Sequence, residues 1–273
     1  MAKVSLDGVP ETMLWPLWNR AYEAKRKDRL IDDPWSINLV EDIEYDFAAS
    51  FKKPNRGHGI RSRVGDDLVS DFLTRHGEAA CVVALGEGLE TQYWRLGEPN
   101  VPWFSVDVSA AIDVRQSLLP QGKSMTPLAY SALDTGWMDE VPTGLTPFVS
   151  MMGLLMYFTK SDVINLLTEI AERFPGAEIF FDAIPPWFSK RTMEGYDLTE
   201  SYRTPKMPWG ISIERLPAFV RAIPNMEPVT IQTYAKPYPQ AMRVYSILSL
   251  IRPMRNRLAP SLVHARVQDR QRE

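Results

Sequence analysis

The sequence has few of the residues on which disulfide scaffolds and metal centres depend. Its 273 residues include one cysteine and three histidines. No intramolecular disulfide can therefore form, and there is no His/Cys cluster of the kind that binds a structural metal. Cys81 lies in the apolar run 81–85, where we expect a buried, inert thiol. Because 45% of the residues are hydrophobic, apolar packing alone can supply a sizeable core.

Long apolar runs and a strong net charge are also missing. No stretch approaches the roughly 20 apolar residues of a membrane helix, and the opening MAKVSLDGVPE lacks the apolar core of a signal peptide. A formal net charge of −3 gives no electrostatic reason to expect nucleic acid or an anionic membrane as a partner. We expect a cytoplasmic protein that binds neither, and the oligomeric state stays open.

Residues 1–76 have helical patterns and are predicted to form an N-terminal helical cap. Thr12 is a candidate cap for a first helix, Asp33 with Pro34 marks the start of a second, and residues 64–73 have the apolar spacing of a third. The polar stretch 52–59 is predicted as a loop.

Short buried strands then alternate with helices. The apolar runs within 81–85, 103–108, 141–150 and 177–184 are predicted as strands, and 162–174 as an amphipathic helix. This alternation favours a doubly wound parallel sheet over residues 77–184. The stretch 185–228, rich in proline and aromatic residues, is predicted as an inserted lid. Residues 229–273 are expected to complete the sheet with strands at 229–234 and 243–251, before a surface helix in the tail.

A glycine turn, Gly86-Glu87-Gly88, directly follows the first predicted strand. Glycine allows a sharp turn and a close approach of the backbone to a ligand at the carboxyl edge of the sheet. Thr91 stands where a dinucleotide fingerprint has its third glycine, which favours a nucleoside ligand without phosphates over NAD. Asp107 ends the next strand, where a carboxylate can accept hydrogen bonds from ribose hydroxyls.

Several stretches, in order along the chain, resemble one family. They are PLWNRAYEAKRKDRLIDDP (16–34), RSRVGDD (61–67), VVALGEGLETQYWR (82–95), WFSVDVSAAIDVR (103–115), SALDTGWMD (131–139), GLLMYF (153–158) and FPGAEIFFDAIP (174–185). Together they resemble the leucine carboxyl methyltransferase family, which includes the tetracenomycin-type polyketide O-methyltransferases. The resemblance implies an α/β, Rossmann-like class I methyltransferase fold with a seven-stranded, mostly parallel sheet.

The resemblance also implies S-adenosyl-L-methionine as cofactor and S-adenosyl-L-homocysteine as product. The positions that it assigns to cofactor binding are Gly86, Glu87, Gly88, Glu90, Asp107, Val108, Ala132, Leu133, Asp134 and Met152. A basic residue near the N-terminus would contact the cofactor carboxylate, and Arg20, Arg61 and Arg63 are the candidates.

Three positions, in two stretches, depart from the family pattern. The usual GLDTR is GLETQ here, with Glu90 for the aspartate and Gln92 for the arginine, and Met152 stands where relatives have a glutamate. Glu90 leaves an acid that is longer than the aspartate by one methylene. Met152 removes a possible base, so that either another acid acts as base or the acceptor needs none.

Candidate catalytic residues are few. Glu23, Asp46 and Asp182 are possible bases, and Tyr22 and Tyr157 are possible orienting groups. The candidate acceptor-binding residues of the lid are Trp187, Tyr202, Arg203 and Trp209, since aromatic walls suit flat, apolar ligands. Each of these residues also has an ordinary structural interpretation.

The sequence therefore predicts a methyltransferase acting on a small, aromatic or polyketide-like molecule in secondary metabolism, with O-methylation favoured. N- or C-methylation of an indole-like molecule is the alternative within the enzyme class. A non-catalytic cofactor-binding protein is the alternative outside it. Carboxyl methylation of a protein tail and a nicotinamide dehydrogenase are less favoured.

Overall fold

Seven strands form one mixed sheet in the computed structural model, which describes residues 10–269. They are β1 (Ala80–Leu85), β2 (Trp103–Asp107), β3 (Met125–Ala129), β4 (Thr146–Met151), β5 (Glu178–Ala183), β6 (Met226–Thr233) and β7 (Ser261–Val267). The order across the sheet is β3-β2-β1-β4-β5-β7-β6. The first five strands are parallel, and β7 is antiparallel to both of its neighbours. The predicted seven-stranded, mostly parallel Rossmann-like sheet is confirmed.

Helices cover both faces of this sheet. They are α1 (Leu14–Ala24), α2 (Pro34–Asp42), α3 (Phe47–Phe51), α4 (Gly57–His76), α5 (Gln92–Arg95), α6 (Ser109–Leu118), α7 (Lys160–Arg173), α8 (Pro186–Met193), α9 (Leu216–Arg221), α10 (Arg243–Leu250) and α11 (Arg252–Leu258). Alternate strand residues face opposite layers: Val83 belongs to the apolar cluster of α7, whereas Val82 packs in the cluster of α4. Burial on both faces explains why β1 is apolar throughout.

The N-terminal helices differ from the prediction in two details. Thr12 does not cap α1, because a 3₁₀ turn over Pro10–Met13 leads into the helix, and its N-cap residue Met13 makes no side-chain capping bond. Asp33 does cap α2, accepting from Ser36 N. α4 begins within the stretch predicted as a loop, so that His58 lies in a helix.

The C-terminal prediction is wrong at one strand. Residues 229–234 fall largely within β6, but 243–251 fall largely within α10, and the partner of β6 is β7, within the tail that was predicted as a surface helix. A short, largely apolar stretch such as 243–251 fits a helix or a strand about equally well, so its apolar pattern does not distinguish them. The chain leaves the sheet after Thr233, forms α10 and α11, and re-enters at Ser261, which pairs with Thr233. We call residues 234–260 the C-terminal excursion.

The segment predicted as a lid is partly core. Trp209 packs in the main apolar cluster, and α9 lies against β6. The division of the chain into cap, core, lid and C-terminal segment stays a prediction. Within residues 10–269, no helix is both long and apolar enough to cross a membrane. A cytoplasmic location likewise stays a prediction.

Candidate active site

A deep cavity opens where the parallel strands end. It has a volume of about 640 Å³ and lies beyond the carboxyl ends of β1, β2, β4 and β5, with α1, α4, α8 and the C-terminal excursion completing its walls. This edge is where open α/β sheets bind their ligands. Its size is within the range of small-molecule sites.

The glycine turn after β1 forms part of the cavity floor. Gly86 has φ +64° and Gly88 φ +50°, in the left-handed region that favours glycine. A Cβ at Gly86 would lie 2.7 Å from Leu154 Cδ1, and one at Gly88 would lie 2.9 Å from Met13 Cβ. The turn therefore requires glycine for its backbone conformation and for space. Glu87, between the two glycines, has a buried carboxylate whose Oε1 accepts from Trp103 Nε1 at 3.2 Å. Burial raises the pKa of Glu87.

Asp107 lies beside this turn, at the end of β2. Its Oδ2 accepts from Gly88 N and its Oδ1 from Val108 N, both at 2.8 Å. Burial raises the pKa of Asp107, opposed by these two bonds. Each carboxylate oxygen keeps a free acceptor position, and both Asp107 and Val108 line the cavity. The arrangement suits a ligand with adjacent hydroxyls.

Arg20 and Glu90 belong to a buried ionic network. Arg20 Nη2 donates to Leu89 O at 2.6 Å, and Arg20 Nη1 lies 3.2 Å from Glu90 Oε2. Arg95 Nη1 lies 2.5 Å from the other oxygen of Glu90, and Arg20 Nε lies 3.3 Å from Asp33. Both Arg20 and Glu90 line the cavity. The longer acid is thus held by arginines, which lower its pKa against the opposing effect of burial.

Arg61 enters the cavity from α4 and meets Asp182 at the end of β5. Arg61 Nη1 lies 3.3 Å from Asp182 Oδ2, which also accepts from Tyr234 OH at 2.6 Å, and Asp182 Oδ1 accepts from Gly153 N at 2.5 Å. Arg61 is 3% exposed, yet its Nε has no hydrogen-bond partner in the described part of the chain. An unpaired donor on a buried cation beside a cavity is the group that an anionic ligand would satisfy.

The remaining predicted cofactor residues divide between the cavity and its surroundings. Ala132 and Met152 line it. Arg63 does not: it is exposed on the outer face of α4, where it pairs with Asp67 one turn away. Leu133 is exposed outside the lining, and Asp134 accepts from Gly136 N to cap a 3₁₀ turn. None of these three residues lines the cavity, so we correct their assignment to the cofactor site.

Three of the candidate catalytic side chains already have other hydrogen-bond partners. Glu23 is fully buried under Gly59 in a bidentate pair with Arg56, at 2.6 and 2.7 Å, and does not line the cavity. Asp46 caps α3 by accepting from Ala49 N. Tyr22 accepts from Arg26, outside the cavity. These three assignments are corrected because each side chain serves local structure.

Asp182 and Tyr157 do line the cavity. Through the three contacts above, Asp182 links β5 to α4, to the turn at Gly153 and to Tyr234 at the start of the C-terminal excursion. Tyr157 is buried, and burial raises its pKa to about 12, so its hydroxyl keeps its proton at neutral pH. Tyr157 is thus a hydrogen-bond donor at this pH.

Of the predicted acceptor-binding residues, only Trp187 lines the cavity. Tyr202 packs edge-on against Phe51, 4.8 Å between centroids, and Trp209 is buried in the core. Arg203 is exposed, close to Asp197. The structure corrects these three assignments, because the aromatic residues fill apolar clusters and the arginine faces outward.

Sequence reasoning missed a large part of the wall. The residues concerned are mostly apolar or aromatic, and include Trp15, His58, Met156, Phe188, Met207, Met242, Tyr245 and Leu258. No local motif marks them, since they come together only through the tertiary fold. His58 carried one signal: it precedes Arg61 by three residues, which places both on one face of a helix.

Comparisons with known proteins identify the family of this chain. The profile of the leucine carboxyl methyltransferase family matches residues 14–171. Tetracenomycin polyketide synthesis O-methyltransferase TcmP of Streptomyces glaucescens is 30% identical over 187 residues, which cover 67% of this chain and 69% of that protein. The S-adenosyl-L-methionine-dependent methyltransferase dpfgK of Gibberella zeae is 28% identical over 203 residues, which cover 66% and 68%.

The fold has a counterpart among solved structures. The crystal structure of a protein from Thermobifida fusca assigned as a methyltransferase superposes with a TM-score of 0.56 over 96% of this chain and 95% of that one, at 14% identity. At this identity the likeness concerns the fold alone. The unpaired Arg61 Nε fits the carboxylate of S-adenosyl-L-methionine, and the Asp107 carboxylate fits its ribose. The glycine turn fits the close approach of the protein backbone to this cofactor. The chain belongs to the leucine carboxyl methyltransferase family and is an S-adenosyl-L-methionine-dependent methyltransferase.

Proposed function

We propose that this methyltransferase acts on an oxygen of a small, aromatic or polyketide-like acceptor, in secondary metabolism. The observation that carries the proposal is the apolar and aromatic part of the cavity wall, which includes Trp187, Phe188, Met207, Met242 and Tyr245. Flat, apolar molecules suit such a wall. The relative TcmP, named for O-methylation in polyketide synthesis, supports the same acceptor class.

Within the cofactor half of the cavity, we assign Asp107 to the ribose hydroxyls, and Gly86 and Gly88 to the close approach of the backbone. Among the three candidate arginines, we assign Arg61 to the cofactor carboxylate because its buried Nε lacks a partner. Arg20 lines the cavity beside it and holds the turn through Leu89 O.

When bound, the cofactor would supply a methyl group on a sulfonium, whose carbon–sulfur bond breaks as the acceptor takes the methyl group in line and S-adenosyl-L-homocysteine leaves. The chain then has to hold the acceptor behind that methyl group and keep water away. The wall residues exclude water, and Tyr157 can donate a hydrogen bond that orients the acceptor.

Each carboxylate of the lining has a role other than that of a base in this proposal. Within residues 10–269 the acids of the lining are Glu87, Glu90, Asp107 and Asp182. Arginines hold Glu90 and Asp182, Asp107 is assigned to the ribose, and the buried Glu87 carboxylate contacts Trp103 and Arg115. The proposed acceptor is therefore one whose oxygen is already acidic in water. The same observation supports a second candidate, methylation of a nitrogen or of an electron-rich ring carbon in an indole-like molecule, which also needs little base.

Two measurements test this proposal. Calorimetric titration with S-adenosyl-L-methionine and S-adenosyl-L-homocysteine, with NAD as control, should show binding of the first two only. Transfer of a labelled methyl group is then measured with hydroxylated and carboxylated aromatics, indoles and peptides. Labelled O-methyl products from the aromatics support the proposal. Products from indoles alone favour the second candidate, and products from peptides alone overturn both.

A further inference from the structure

His58 is a polar cavity residue to which the proposed function gives no role. It lies in the first turn of α4, one turn before Arg61, and lines the cavity. Its ring packs edge-on against Trp15, with centroids 5.9 Å apart. Its Nδ1 lies 2.8 Å from Asn19 Nδ2. This is the one hydrogen bond of the ring within residues 10–269, so none is found at Nε2.

The surroundings of Asn19 determine which ring nitrogen carries the proton. Asn19 Oδ1 accepts from Asn55 N at 2.6 Å, so the amide nitrogen must face the ring. That nitrogen also donates to Trp15 O at 3.1 Å. Since an amide nitrogen only donates, His58 Nδ1 has to accept, and the ring proton is assigned to Nε2.

The ring is also neutral. Burial, together with the charges of Arg61 and Arg20, holds the pKa of His58 well below its usual range. A neutral imidazole whose Nδ1 accepts is a donor at Nε2. It is therefore not a base for the acceptor.

Residues three apart on a helix have neighbouring side chains. Arg61 Nε has no hydrogen-bond partner, and the one hydrogen bond of the His58 ring within residues 10–269 is at Nδ1. Both Arg61 Nε and His58 Nε2 are therefore available as donors on one face of α4, near the end of the helix where its dipole is positive. We infer that His58 Nε2–H donates a hydrogen bond to the carboxylate of the cofactor, beside Arg61. This inference rests on the cofactor site proposed above.

The test compares two replacements of the ring. In H58Q the side-chain amide reaches approximately as far as Nε2 and retains a donor, whereas H58F keeps an aromatic ring against Trp15 but has no donor. H76Q, at the far end of the same helix, is the matched control. Affinity is measured by calorimetry for S-adenosyl-L-homocysteine and for 5′-methylthioadenosine, which shares the nucleoside but lacks the amino-acid carboxylate.

H58F should bind S-adenosyl-L-homocysteine about 10- to 100-fold more weakly, as expected for the loss of one hydrogen bond to a charged group. Its affinity for 5′-methylthioadenosine should not change, and H58Q should stay close to the wild type. Equal losses for both ligands, equal losses in H58Q and H58F, or no loss in H58F would each overturn the inference. Absence of binding by the wild-type protein would instead overturn the proposed cofactor site.

A spectroscopic measurement gives an independent check. With three histidines in the chain, the ¹⁵N resonances of the His58 ring are identified by their disappearance in H58Q. They should show a protonated Nε2 and an unprotonated Nδ1 at neutral pH. A proton on Nδ1 would contradict the hydrogen-bond network of Asn19, and with it the donor role of His58.

Discussion

Replacing Asp107 by asparagine tests the ribose site most directly. In the wild type both carboxylate oxygens accept from backbone N–H groups, at 2.8 Å each. An asparagine has one oxygen, so its NH₂ group must face either Gly88 N or Val108 N, and one bond to the turn is lost. The acceptor for one ribose hydroxyl becomes a donor at the same time.

The size of the effect follows from these bonds. A hydrogen bond to a charged group is worth about 1.5–3 kcal/mol. We expect a loss of about 100-fold in affinity for S-adenosyl-L-homocysteine, which corresponds to about 2.7 kcal/mol. The affinity for 5′-methylthioadenosine should fall by a similar factor because this ligand also carries the ribose, in contrast to the pattern expected for H58F.

Calorimetry on folded protein measures both affinities, with circular dichroism and thermal unfolding to verify the fold. Asp113→Asn is the matched control, since Asp113 is exposed on α6, the helix that follows Asp107. A folded D107N that binds both ligands within a factor of three of the wild type would refute the assignment of Asp107 to the ribose.

Three further predictions concern other parts of the molecule. Gly153→Ala should weaken S-adenosyl-L-homocysteine binding in calorimetry, because Gly153 has φ +75° and a Cβ there would lie 2.7 Å from Arg61 Nη1; unchanged affinity would contradict the role of Arg61. Burial opposes ionisation of Glu178, but hydrogen bonds from His264 and two arginines outweigh it and lower its pKa to about 2. The stabilisation is therefore complete above pH 4.5 and lost as pH falls towards 2, and Glu178→Gln should lower the unfolding free energy at pH 7 by about 2 kcal/mol and flatten this acid dependence in chemical denaturation. Burial raises the pKa of Cys81 to about 12, so a thiol reagent should label the native protein only slowly and the denatured protein fully; rapid native labelling would contradict the buried position.

The sequence predicts four of the five parallel strands, but not β3, which is only partly buried at the edge of the sheet. β1, β2 and β5 are short apolar runs, each limited by a turn or a helix start, and burial on both faces requires that composition. The inert, buried position expected for Cys81 agrees with its complete burial in β1.

The antiparallel strand β7, which lies between β5 and the edge strand β6, was harder to predict because it carries polar residues. β7 contains His264 and Arg266, which are typical of a surface tail. In the structure both reach Glu178 on the neighbouring β5, at 2.9 and 2.7 Å. Polar residues are compatible with this sheet position because a partner across the strands satisfies them, and the pairing is not visible in the local sequence.

In the site, the residues of the glycine turn and Asp107 were predictable because the turn directly follows β1 and Asp107 ends β2. Glu23 and Arg203 were not: their charges attract partners elsewhere, Arg56 for the first and Asp197 for the second. An acid in the sequence does not indicate whether its oxygens are already occupied. That depends on contacts between distant segments.

The C-terminal excursion has a consequence for how new acceptors can be accommodated. Its two ends are fixed as neighbours, since Thr233 and Ser261 pair in the sheet, whereas residues between them, such as Met242 and Leu258, face the cavity. Doubling the length of a flexible loop between fixed ends costs only about 0.6 kcal/mol of closure entropy. The excursion beyond Tyr234 is therefore a natural place for insertions, deletions or grafted segments that reshape the part of the cavity lined by Met242 and Leu258, while strand pairing keeps both ends of the excursion in place.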